Sequence, residues 1–223
     1  MKIGLVFVNA GPFSEPDLFR TLALSAEDNG FESLWTVEHV AIPDGFQSSY
    51  PYTASGKLGN MDEFLLSDPL VHLAFAASIT KRIRFGTAVM FGPLRSHPKP
   101  VQAGGVPIVV GGHSPAAVRR AARLGDGFFP AVGKLNGLNW EVDAAAPERL
   151  RALIEALKTE CATIGRDFST MEVSCIGPAH VDTINKLREM GMSRVVLGPP
   201  AFEPTSLRSR LEKIGREVIA RLP

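Results

Sequence analysis

One short stretch of the chain brings together the residue types that hold phosphate groups. An apolar run ending at Val110 is followed by two glycines, and Ser114 and Pro115 are typical of the first residues of a helix. The N–H groups at a helix start and the helix dipole favour an anion, and glycines let it approach the backbone. The pattern predicts a cofactor phosphate site at Gly111, Gly112, His113 and Ser114, although it equally fits an ordinary strand-to-helix turn.

A histidine stands where a second apolar run ends. His39 closes the stretch Trp35–His39 and directly precedes a long irregular segment. In a parallel α/β barrel the carboxyl ends of strands face the active site, and a histidine there can exchange a proton near neutral pH. We therefore take His39 as the candidate catalytic residue. A purely structural role is the alternative, and for an arbitrary barrel it is the commoner one.

Small residues end a third apolar run. Thr87, Ala88 and Val89 follow Gly86, and such residues would let a flat cofactor ring lie against the backbone, although core packing explains them equally well. Among the remaining histidines, His72 lies within an apolar helical stretch and is expected to be packed.

The elements that must position these residues alternate between short apolar runs and helical periodicity, which predicts parallel strands joined by crossover helices. The predicted strands are 3–8, 33–39, 83–90, 107–111, 127–131, 171–176 and 194–198. The predicted helices are 16–29, 69–80, 114–124, 147–164, 179–190 and 205–221. Residues 40–67 read as a long loop, of the kind that often carries function, and 92–105 as a Gly- and Pro-rich stretch. Seven strands are one fewer than a closed barrel has.

Composition narrows the class of protein. The 223 residues are 45% hydrophobic and 21% charged with a formal net charge of +1, which fits a single globular domain spanning 1–223. Basic residues are scattered, so we expect no nucleic-acid partner, and no apolar run is long enough for a membrane span. The two cysteines, Cys161 and Cys175, lack metal-ligand spacing. We expect no metal site, two buried free thiols and a cytoplasmic location.

Several segments together resemble the luciferase-like flavin- and F420-dependent oxidoreductase family, in particular its F420-dependent branch. The segments that carry the resemblance are 2–7, 30–43, 50–52, 68–70, 82–89, 111–114 and 121–130. The resemblance covers nearly the whole chain.

The resemblance implies a TIM-barrel-like α/β fold and hydride transfer between a deazaflavin, F420, and a small organic substrate. It identifies His39 with the family's active-site histidine, and Ala88 and Val89 with the dipeptide that backs the ring. Gly111–Ser114 correspond to the loop that holds the cofactor phosphate. FMN in place of F420, in a monooxygenase or a reductase, is the alternative. We also expect a homo-oligomer, most simply a dimer.

The chain departs from the family after the third strand. Pro98 is followed directly by Lys99, where the family has a further helix, a strand and a long insertion, so at least one crossover unit is absent. Either seven strands close around a smaller pocket, or the sheet stays open with edges that need covering. A shortened paralogue that binds F420 or a flavin without turnover, or one that chiefly serves as an assembly partner, remains an alternative.

Overall fold

The computed structural model describes residues 1–38, 65–88, 106–136, 139–141 and 146–223. His39, Val89 and most of both irregular segments therefore lie outside the described residues. The strands are β1 (Lys2–Val6), β2 (Ser33–Val37), β3 (Arg84–Ala88), β4 (Val109–Gly112), β5 (Gly127–Pro130), β6 (Lys134–Asn136), β7 (Asn139–Glu141), β8 (Glu172–Ile176) and β9 (Arg194–Leu197). The helices are α1 (Pro16–Asp28), α2 (Pro69–Ile79), α3 (Pro115–Leu124), α4 (Ala146–Thr163), α5 (Val181–Glu189) and α6 (Pro204–Glu217).

Seven strands form one curled parallel sheet in the order β3-β2-β1-β9-β8-β5-β4. This is the neighbour order of a (β/α) barrel in which the ends, β3 and β4, are not joined to each other. Of the two outcomes open from sequence, the described strands thus adopt the open sheet. The parallel arrangement brings the carboxyl ends of all seven strands to one edge, where the described candidates Thr87, Ala88 and Gly111–Ser114 lie.

Helices cover the outer face of the sheet, and the main core lies between them and the strands. Its largest fully buried side chains include Phe13, Phe19, Phe128, Leu5 and Leu34. On the opposite face lies a smaller apolar cluster built on Val6, Phe7, Ala10 and Val196, with Trp35, Val37, Leu66, Phe129 and Ile176 packed against it. This second cluster fills the concave side of the sheet, the side on which an active site of this architecture lies.

The predicted strands and helices are confirmed with ends that shift by a few residues. β1 stops at Val6 rather than at Val8 because Phe7 adopts a φ of 63°, which a regular strand cannot contain. Helix α1 begins at Pro16, as predicted, and ends at Asp28, one residue before the predicted end; a turn of 3₁₀ helix, Gly11–Ser14, precedes it. The short antiparallel hairpin of β6 and β7 was not predicted. No helix in the described part of the chain is long and apolar enough to cross a membrane.

Candidate functional site

The loop between β4 and α3 has the geometry of an anion site. Ser114 caps α3: its Oγ accepts a hydrogen bond from the Ala117 N–H at 3.2 Å, and Pro115 occupies the first turn. Gly112 has a φ of 130°, and a Cβ there would lie 2.8 Å from the Ala117 Cβ. A Cβ on Gly111 would meet nothing within 4 Å. The loop therefore presents open backbone at a helix N-terminus, a setting that fits a phosphate.

A cleft of about 360 Å³ continues from this loop toward helix α4. His113 and Arg149 both line the cleft, together with Ala131, Val132 and Gly133. Arg149 stands in the first turn of α4, which packs against α3. Sequence reasoning missed Arg149, because its helix position gives no sign of which loop its side chain faces. The cleft adds a permanent cation to the predicted phosphate loop.

The end of β3 carries the residues predicted to back the cofactor ring. Thr87 is exposed and pairs with Thr36, while Ala88 pairs with Val37 at the end of β2. Next to them the indole of Trp35 lies directly against Gly86, so closely that Gly86 has no room for a Cβ. Core packing, one of the two explanations open from sequence, therefore accounts for Gly86. Val89 and His39 lie outside the described residues.

A buried charge cluster closes the amino-terminal end of the concave face. Arg194 is 2% exposed and donates from Nε and Nη2 to the Glu32 carboxylate, each at 2.9 Å, and from Nη1 to Glu172. Its guanidinium also lies 5.4 Å from the centre of the Trp35 ring. Lys2 pairs with Glu172 at 2.5 Å. The cluster and Trp35 thus pack together on the concave face, toward the amino-terminal ends of the strands.

The ionisation of the cluster follows from these contacts. Burial acts to raise the pKa of the Glu32 and Glu172 carboxyls. Hydrogen bonds and charge from Arg194, with further help from Lys2 at Glu172, outweigh burial and hold both pKa values below the usual range. The pKa of Arg194 is raised, since the two carboxylates outweigh its burial. All three groups therefore stay charged near neutral pH, and they serve structure rather than proton transfer.

His72 is packed, as predicted. It is 8% exposed, its ring centre lies 3.8 Å from that of Phe19, and its Nε2 lies 3.1 Å from the Val8 carbonyl oxygen. Burial lowers its pKa, so the ring is neutral near pH 7 and its Nε2 carries the proton donated to Val8. The His72 ring is therefore a packed part of the core.

Both cysteines are free and buried, as predicted, and burial raises the pKa of the Cys175 thiol to about 12. Cys175 lies in the wall of a second cavity of about 570 Å³ between α4 and α5, to which Arg151 also contributes. Among the described residues no group of His, Cys, Asp and Glu could hold a metal ion.

The comparisons with known proteins give the family. A model of the luciferase-like monooxygenase family matches residues 6–98 and 95–198. The chain belongs to this family. The two matched stretches overlap at 95–98.

Two uncharacterized mycobacterial proteins are similar to this chain in sequence. An uncharacterized protein of Mycobacterium tuberculosis is 24% identical over 285 positions, covering 90% of this chain and 94% of the relative. Since 285 positions outnumber the 223 residues here, the relative carries residues with no counterpart in this chain. Another Mycobacterium tuberculosis protein, also uncharacterized, is 38% identical over 64 residues, 29% of this chain and 23% of the relative.

Solved structures with the same fold include two F420-dependent enzymes. The F420-dependent tetrahydromethanopterin reductase of Methanopyrus kandleri has a TM-score of 0.62 at 13% identity, covering 100% of this chain and 99% of that one. An F420-dependent secondary alcohol dehydrogenase bound to an F420–acetone adduct has a TM-score of 0.64 at 14% identity, with 98% of each chain covered. A monooxygenase of Streptomyces bottropensis has a TM-score of 0.66 at 14% identity, covering 99% of each. Family membership supports an oxidoreductase.

Proposed function

We propose that the protein is an F420-dependent oxidoreductase that transfers hydride between the deazaflavin and a small organic substrate. The observation that carries the proposal is the open loop Gly111–Ser114 at the start of α3, continued by the cleft between His113 and Arg149. When bound, the deazaflavin would supply the hydride acceptor or donor. The family and the two F420-dependent structures of the same fold support this cofactor.

The protein's own residues would take three roles. The backbone of Gly111 and Gly112, with the Ser114-capped helix start, would bind the cofactor phosphate. Trp35 would form the floor beneath the ring, next to Thr87, Ala88 and Val89 at the end of β3. His39, which follows β2 by two residues in the sequence, would exchange a proton with the substrate as hydride moves.

The cleft favours F420 over FMN. FMN ends at a phosphate monoester, whereas F420 continues beyond its phosphate into a carboxylate-bearing tail. A cleft that leads away from the phosphate loop and is lined by Arg149 can contact such a tail, and FMN has nothing to place there. FMN binding therefore uses only part of the site.

Titration of the purified protein with F420 and with FMN, followed by absorbance and fluorescence, tests the proposal. We expect F420 to bind more tightly, and Arg149→Gln to raise its Kd about 10-fold with little effect on FMN. Arg151→Gln is the matched control, since Arg151 lies on the same helix but lines the other cavity. Binding of neither cofactor would refute the proposal, and tighter binding of FMN would favour the flavin alternative.

The open sheet favours one second candidate, a paralogue that binds the cofactor without turnover. β3 and β4 are the outermost strands, so the strand that would join them in a closed barrel is not among those described. A redox site that lacks this strand could bind the cofactor phosphate and still fail to enclose a substrate. Turnover of any substrate with reduced F420 would exclude this candidate.

We also propose that the chain forms a homo-oligomer, most simply a dimer. Helix α2 is apolar around its whole circumference, a pattern typical of buried helices, yet Leu70 and Val71 are 66% and 70% exposed. Light scattering should give more than the monomer mass. Val71→Lys should lower that mass, whereas Ile164→Lys, at an exposed apolar site after α4, should not. A monomeric wild type would refute the proposal.

A further inference from the structure

A single buried side chain joins the two ends of the long segment that follows β2. Asn9 is fully buried just after β1, and its Nδ2 donates to the carbonyl oxygens of Val37 and Ser67, each at 2.8 Å. Its Oδ1 accepts from the Val37 N–H at 2.9 Å. Val37 is the last residue of β2, and Ser67 lies two residues before the start of α2, so one carboxamide binds the main chain at both ends of the segment between them.

The contact is specific for asparagine. Both N–H groups of the carboxamide donate and its oxygen accepts, so an aspartate would set a carboxylate against two carbonyl oxygens, and an alanine would leave the Val37 N–H without this partner. The Asn9 main chain adds a bond, because its carbonyl accepts from the Ser67 N–H at 3.1 Å. The carboxamide both donates to the Val37 carbonyl and accepts from the Val37 N–H, as the main chain of a residue in a neighbouring strand would do.

A turn of the main chain directly after β1 places Asn9 for this contact. Phe7 adopts a φ of 63°, in the left-handed region that ordinarily favours glycine, and the chain leaves the line of β1 there. The turn is held by the Ala10 N–H donating to the Phe7 carbonyl at 3.2 Å. His72 donates from Nε2 to the Val8 carbonyl at 3.1 Å, which fixes the turn to α2. These hydrogen bonds hold the turn that carries Asn9 in place.

We propose that Asn9 is a positioning residue of the redox site. It fixes the main chain at Val37, the carboxyl end of β2, which precedes His39 by two residues in the sequence, and it also holds Ser67, just before α2. The role in turnover rests on the proposed function. The joining of the two segment ends does not, and it can be measured separately.

Hydrogen exchange tests the joining in the full-length protein without any cofactor. Asn9→Ala should speed exchange of the Val37 and Ser67 amides by about 10- to 100-fold and leave the β9 amides near their wild-type rates. Asn29→Ala is the matched control, because Asn29 donates to the Ser25 carbonyl at the end of α1. Equal acceleration in β9 would mean that Asn9 only supports global stability, and no acceleration at Val37 would also overturn the proposal.

Kinetics test the positioning role. Asn9→Ala and Asn9→Asp should lower kcat at least 10-fold while the F420 Kd stays within about 2-fold, because the phosphate loop lies at β4. An unchanged kcat, or equal losses of kcat and F420 binding, would overturn the role. If the wild type does not bind F420, the proposed function fails, and the exchange measurement still decides whether Asn9 joins the segment ends.

Discussion

Gly111 and Gly112 are adjacent in sequence, yet the structure predicts opposite consequences for alanine at each. At Gly111 a new Cβ meets nothing within 4 Å, so Gly111→Ala should keep or slightly raise the free energy of unfolding, by up to about 1 kcal/mol. At Gly112 the φ of 130° strains any Cβ-bearing residue, and the methyl would lie 2.8 Å from the buried Ala117 Cβ. Strain and overpacking together should cost about 2–4 kcal/mol.

Gly111→Ala should weaken F420 binding without lowering the free energy of unfolding. The open space at Gly111 is where a phosphate would approach the backbone, so Gly111→Ala should raise the F420 Kd about 10- to 100-fold, or 1.4–2.8 kcal/mol. Urea unfolding measures the stability of both variants, and fluorescence titration measures binding. Wild-type affinity in Gly111→Ala would refute the placement of the phosphate at this loop. Wild-type stability in Gly112→Ala would refute the strain argument.

Three further predictions concern the buried ion pairs of Arg194, the packed His72 and the proposed proton transfer by His39. Arg194→Met should lower the free energy of unfolding by about 2–4 kcal/mol, because Glu32 and Glu172 lose their buried partner and keep only the more exposed Arg84 and Lys2. Arg84→Met should cost only about 0–1 kcal/mol, since Arg84 is exposed, and similar losses in the two variants would contradict this. Because the folded pKa of His72 is lowered, the unfolded chain binds the proton more readily. The free energy of unfolding is therefore not reduced by His72 above about pH 6.5. As the pH falls below about 6.5, it decreases by at most about 1.4 kcal/mol per pH unit. His72→Gln should flatten that loss in unfolding measured from pH 7 to 5.5, and an unchanged slope would contradict the assignment. His39→Ala should reduce turnover about 10²- to 10⁴-fold with little change in F420 Kd; equal loss of both would make His39 structural.

The sequence was sufficient for the parallel strands, the helices between them and the cap at Ser114, because each depends on local periodicity and local residue types. It could not give Arg149, because the cleft that Arg149 lines together with His113 depends on how α4 packs against α3. The hairpin of β6 and β7 did carry a local signal, because the two residues between the strands, Gly137 and Leu138, begin with a glycine, as many two-residue hairpin turns do. Asn9 gave no signal, since its partners lie far away in sequence.

The position of Trp35 narrows where a cofactor ring could lie. Sequence left the small residues from Gly86 onward as a surface for a flat ring, but the indole already occupies the face of Gly86, and Arg194 supports the indole from below. If the proposed ring binds on this face, it has to lie nearer the carboxyl edge than Gly86, at the level of Thr87. Asn9 holds the end of β2 at that level. The proposed phosphate loop follows β4 and the proposed ring position is on β3, and these are the two outermost strands of the described sheet. The shielding of a bound ring from water therefore depends on what covers the sheet between these two strands.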